Sequence, residues 1–124
     1  MGPPPNPLEG IGDATLVQEG FQFTEGPRWF PAESVLRFTD IPANRIYEVA
    51  LPDTVSVYRE MSQGANGLAF DAQGQLLAAE HGGRRVSITR NGQTETLVAQ
   101  YQGADLNSPN DVAVHSGGWI YFTD

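Results

Sequence analysis

With 124 residues, 40% of them hydrophobic, the chain is long enough for one modest globular unit. Fifteen acids face seven arginines and no lysine, for a formal net charge of −8, and no basic cluster exceeds Arg84-Arg85, which argues against a nucleic-acid partner. Cysteine is absent, which rules out disulfides and thiol catalysis, and no apolar run approaches the ~18 residues of a membrane span.

Residues 1–13 read as a Pro/Gly-rich N-terminal tail. Its start, Met1-Gly2-Pro3-Pro4-Pro5, lacks the basic and apolar regions of a secretory signal, so the expectation is a soluble protein with the cytoplasm as the favoured compartment. Residues 14–23 contain strand-like residues that either hang free or pack locally. Strands are then expected near 26–30, 34–39, 45–50 and 54–59, near 67–71, 75–80, 84–90 and 94–99, and near 111–115 and 119–124. Arg45-Ile46-Tyr47-Glu48-Val49 alternates polar and apolar residues with period two, as a half-buried strand does. Asn91-Gly92 is a strong hairpin signal, because both turn positions want positive φ. No helical periodicity of useful length is present.

These strands repeat. Asn66-Gly67-Leu68-Ala69-Phe70 aligns with Asn110-Asp111-Val112-Ala113-Val114, and both segments pass a glycine, Gly74 or Gly118, into an apolar triplet that ends on Glu80 or Asp124. A third copy, with one extra residue, runs from Glu25-Gly26-Pro27-Arg28-Trp29 to Phe38-Thr39-Asp40. The leading residues Glu25, Asn66 and Asn110 are 41 and 44 positions apart. A period in the low forties carried by short strands is the signature of a β-propeller blade. The fold class is therefore all-β: about two and a half blades of an expected six. Residues 14–124 are then the N-terminal part of the propeller, with blade one at about 25–64, blade two at about 65–108 and a partial blade three at 109–124. At this period six blades need on the order of 250 residues, so the chain reads as part of something longer, with open blade edges that invite self-association. Trp29, Phe70 and Val114 hold matching places and are expected as core between blades.

In a propeller the first strand of each blade lines the central channel. Glu25, Asn66 and Asn110 would then form a ring of oxygen donors on one face, suited to a hard cation. The acids Asp40, Glu80 and Asp124 would return beside that ring at the ends of second strands. The alternative for any such position is that Asn and Asp at strand entries simply bond nearby backbone groups.

Glu25-Gly26-Pro27-Arg28-Trp29, Ala65-Asn66-Gly67-Leu68-Ala69-Phe70-Asp71, Glu80-His81-Gly82 with Arg84-Arg85-Val86, Leu106-Asn107-Ser108-Pro109-Asn110-Asp111-Val112 and Ile120-Tyr121-Phe122-Thr123-Asp124 occur in this order. Together they resemble the gluconolactonase / senescence marker protein / luciferin-regenerating-enzyme family, its bacterial gluconolactonase-like branch in particular, over about residues 20–124. The resemblance implies a six-bladed propeller with one divalent cation on its axis, usually calcium and sometimes zinc or manganese. It implies metal-dependent hydrolysis of a small sugar lactone or related ester. It implies Glu25 as carboxylate ligand and Asn110 as amide ligand, with Asn66 matching an asparagine that contacts metal in some members and substrate in others. The remaining ligand, also the favoured general base or nucleophile, is an aspartate of a later blade, beyond Asp124, so the catalytic residue is not in this chain. Gly64 stands where animal members carry arginine, so their substrate specificity does not carry over.

His81 and Arg84 are candidate substrate contacts beside Asn66, with Arg85 as the alternative arginine, whereas His115 lies in a hairpin at the opposite end of its blade. The 124-residue chain alone is expected to be inactive and to bind calcium weakly at best, since Glu25, Asn66 and Asn110 supply one formal charge. A non-catalytic propeller used as a binding scaffold is the alternative function.

Overall fold

The computed structural model describes residues 2–124, and every regular element among them is a β-strand. β1 (Thr24–Phe30), β2 (Val35–Asp40), β3 (Arg45–Ala50) and β4 (Thr54–Glu60) form one sheet in chain order. β5 (Ala65–Phe70), β6 (Leu76–Glu80), β7 (Arg85–Arg90) and β8 (Gln93–Val98) form a second. A small hairpin follows, β9 (Gln100–Tyr101) with β10 (Ala104–Asp105), and then β11 (Val112–Val114) pairs with β12 (Ile120–Phe122). All pairings are antiparallel. The architecture is a partial β-propeller: two four-stranded blades and the first two strands of a third.

The turns carry the local chemistry that sets these registers. Asn91 and Gly92 both adopt positive φ, 50° and 75°, so β7 and β8 meet in the tight hairpin their sequence specifies. Gly74 and Gly118 close matching turns, donating to the carbonyls of Asp71 and His115. The β9–β10 hairpin was not expected from the sequence. Its strands have two residues each, and its left-handed pair is Gln102-Gly103, without the Asn or Asp that marks such turns.

Packing explains why β6 is buried along its whole length. Side chains alternate across a strand. Leu76 and Ala78 face the first blade, meeting Phe30, Val35 and Ile46. Leu77 and Ala79 face the third, in a cluster with Val86, Ile88 and Val112. Among the described residues the first blade has a neighbouring blade on one side only. Its other face carries Phe38 and Tyr47, and Phe21 packs on both with ring centroids 5.1 and 5.0 Å away. Residues 14–23 therefore pack locally through Phe21 and form no strand. A mostly apolar cavity of about 570 Å³ remains there, lined by Val17, Phe21, Leu36, Phe38, Val49 and Leu51 among others.

The expectation for Trp29 needs correction. Phe70 and Val114 pack between blades, but Trp29 is 42% exposed. It pairs with Leu36 and lies on the first blade's open face. Its neighbour Phe30 is the residue that turns inward, 5.1 Å from the Phe70 ring.

Candidate functional site

The first strands β1 and β5 each break register where a ring residue sits, between Glu25 and Arg28 and between Ala65 and Leu68. Such bulges re-aim side chains. Glycine makes the close approach of these strands feasible. Gly26 has φ +53°, and a Cβ there would lie 2.1 Å from the Asn66 carbonyl oxygen. A Cβ on Gly67 would lie 2.2 Å from Asp111 Oδ1. The Gly67 amide also donates to the Asn110 carbonyl, at 2.9 Å.

This packing brings Glu25, Asn66 and Asn110 into one cavity of about 420 Å³. Asp111 lines it too. Asp111 is not among the sequence-predicted site residues, and its one signal in the sequence is that it replaces the glycine that follows the ring residue in both earlier copies. Its Oδ1 accepts from the Val112 amide at 2.8 Å. The side chains of Glu25, Asn66 and Asn110 make no hydrogen bond with other described residues, so their oxygens are free to meet a ligand. The set is one carboxylate and two amides. Among the described residues no three His, Cys, Asp or Glu side chains gather as a metal cluster. The donors present thus fit part of the shell of a hard cation, which takes six to eight oxygens in the case of calcium.

His81 and Arg84 are exposed and lie outside the cavity lining. Both sit at the ring end of the blades. The His81 amide donates to the carbonyl of Gly64, two residues before Asn66, and Arg84 Nε donates to the Leu106 carbonyl at 2.8 Å. Arg85 is turned toward Glu80. His115 Nδ1 accepts from Gly117 in the β11–β12 turn, away from the ring.

The three returning acids point elsewhere than into the cavity. Asp40 accepts from the amides of Gln22 and Phe23, and Asp124 from those of Asn107 and Ser108. Glu80 is fully buried and accepts from Arg59, Arg85 and Ser87. For these acids, bonding to nearby groups is the arrangement the structure adopts.

Comparison with known proteins gives a consistent set of relatives. Residues 23–124 match the family described as the SMP-30/Gluconolactonase/LRE-like region. A gluconolactonase of Zymomonas mobilis subsp. mobilis is 32% identical over 127 residues, which covers 88% of this chain and 35% of that protein. A solved gluconolactonase structure from Xanthomonas campestris superposes with a TM-score of 0.81 at 38% identity, covering 84% of this chain and 35% of the other. A crystal structure of a candidate gluconolactonase gives 0.82 at 35% identity, covering 87% and 38%. The chain spans roughly a third of the length of these relatives, and it belongs to the SMP-30/gluconolactonase/LRE-like family.

Proposed function

We propose that Glu25, Asn66 and Asn110 hold one divalent cation, calcium in the first place with zinc or manganese as alternatives, and that the complete propeller hydrolyses a small sugar lactone. The observation that carries this reading is the gathering of these three register-matched residues, with uncommitted oxygens, in one cavity. When bound, such a cation supplies Lewis acidity toward an ester carbonyl and acidifies water. Glu25 contributes the only formal charge of the three, and the two amides add neutral oxygens, which leaves the cation strongly electrophilic. His81 and Arg84, at the same end of the blades, are proposed to contact the substrate. A general base is the part these residues do not supply. Glu25 is assigned to the cation, and Asp111, which lines the same cavity, spends Oδ1 on the Val112 amide and keeps Oδ2. Proton removal from attacking water needs a carboxylate that the cation does not hold, and an aspartate of a later blade is proposed for that part.

The 124-residue chain alone is therefore expected to bind calcium weakly and to turn over no lactone. Calorimetric titration with calcium, beside a lactone hydrolysis assay, tests both statements. Glu25→Gln should abolish measurable binding, and Asn110→Ala should weaken it about tenfold, as loss of one oxygen ligand does. A Glu25→Gln variant that titrates like the parent would sink the cation assignment. Micromolar binding with turnover by this chain would sink the incomplete-site reading. The second reading is a non-catalytic binding scaffold, which requires that the complete propeller bind ligand without hydrolysis.

A further inference from the structure

We infer that Asp40, Asn44 and Asp124 are positioning residues that fix the ring residues through the backbone amide two places before each of them. The inference rests on the proposal that Glu25, Asn66 and Asn110 are cation ligands. The repeated Phe-Thr-Asp tripeptide at 38–40 and 122–124 is its starting point. Asp40 Oδ2 accepts from Gln22 N at 2.9 Å and Oδ1 from Phe23 N at 3.1 Å, three and two residues before Glu25. Asp124 Oδ2 accepts from Asn107 N at 2.9 Å and Oδ1 from Ser108 N at 2.7 Å, three and two residues before Asn110. The offsets and the order of the oxygens are the same.

The second blade breaks the sequence motif and keeps the contact. Glu80 occupies the acid's place but is committed to Arg59, Arg85 and Ser87. The amide two residues before Asn66, that of Gly64, instead donates to Asn44 Oδ1 at 2.9 Å. Asn44 comes from the β2–β3 turn of the first blade, a different element from the acids. The constant feature is the amide that is held, and not the residue that holds it. The threonines beside the two acids extend the grip. Thr39 Oγ1 donates to the Asn66 carbonyl, and Thr123 Oγ1 accepts from the Asp111 amide, each at 3.1 Å. A ligand shell needs its donors placed to within about 0.5 Å; Glu25 is the last paired residue before a register break, Asn66 lies inside one, and Asn110 precedes β11.

The test is nuclear magnetic resonance of the nitrogen-15-labelled chain titrated with manganese(II), which broadens resonances close to it. Asp40→Ala, Asn44→Ala and Asp124→Ala should each speed hydrogen exchange about tenfold at their own amide, the loss expected for one such bond. The amides concerned are Phe23, Gly64 and Ser108. The same variants should raise, by about threefold or more, the manganese concentration that half-broadens the Asn66 and Asn110 side-chain amides. Asn44→Asp keeps the acceptor and should stay near the parent. Glu48→Gln removes a partner of Arg37 away from the cavity and should change neither reading. Faster local exchange with unaltered manganese response would make these residues merely structural and overturn the inference. So would faster exchange across a whole sheet. If the parent chain shows no selective broadening of Asn66 and Asn110, the cation proposal falls. Positioning is then decided by nitrogen-15 relaxation at Glu25, Asn66 and Asn110, each of which must loosen in its own variant and in no other.

Discussion

Arg37 is a cation set in the interface between the first two blades, with only 3% of its surface exposed. Its guanidinium lies 4.4 Å from the Phe30 ring centroid and 4.0 Å from that of Tyr58. Glu48 accepts from its Nε at 2.8 Å, and Glu33 pairs with its terminal nitrogens. Burial lowers its pKa, but the hydrogen bonds to Glu33 and Glu48 outweigh that and raise it above the usual value. Tyr58 feels the same environment in reverse. Burial raises its pKa above the ordinary 10.0, while Arg37 pulls the other way. A group whose pKa is higher in the folded than in the unfolded state contributes stability below the unfolded value and loses it as pH rises through the folded value. Stability should therefore fall at pH above about 10 partly through Tyr58. Tyr58→Phe keeps the ring over Arg37 and should flatten that fall. Denaturant midpoints measured between neutral and strongly alkaline pH for both proteins decide the matter, and parallel curves would refute it.

Blade-to-blade attachment depends on one fully buried carboxylate. Glu80, at the end of β6, accepts from Arg59 of β4 and from Arg85 and Ser87 of β7. It thus ties the outer strand of the first blade to the second. Glu80→Gln would leave two guanidinium groups facing a neutral amide in a dry setting, a loss of about 3 kcal/mol or more. Equilibrium denaturation should register that loss, and a change within about 0.5 kcal/mol, the range of ordinary surface substitutions, would remove Glu80 from this role. The sequence placed Glu80 at a strand end in register with Asp40 and Asp124, and that was right. Its inward turn was not legible, because Arg59 is distant along the chain and reaches it only across the blade interface. Strand positions were legible because alternation, tight turns and a repeat all agreed on them. The gathering of Glu25, Asn66 and Asn110 followed from equal register. Which face of a blade has a neighbour is not written in any one repeat, so Trp29 was misjudged. The β9–β10 hairpin carries too few residues for period or composition to register.

At the scale of the molecule both ends of the blade array present exposed apolar side chains. The open face of the first blade presents Trp29, Leu51 and Val57, at 42%, 64% and 41% exposure. At the other end Trp119 and Tyr121 are 71% and 62% exposed, and β12 has a strand partner on one side only among the described residues. Apolar faces and unpaired strand edges both favour pairing with another chain. The net charge of −8 opposes it by repulsion between copies, and salt screens that repulsion. The 124-residue chain is therefore expected to self-associate in a concentration-dependent way, more strongly as ionic strength rises. Leu51→Glu and Tyr121→Glu place charge on the two surfaces without touching the ring cavity, and each should shift the equilibrium toward monomer. Sedimentation velocity over a range of protein and salt concentrations measures this directly. A parent chain that stays monomeric at every concentration and in high salt would show that the tail covering Phe38 and Tyr47 shields the open face well enough by itself. If the parent associates and both variants associate equally well, contact must run through the outer strands β4 and β8, and the two open ends are not the surfaces that pair.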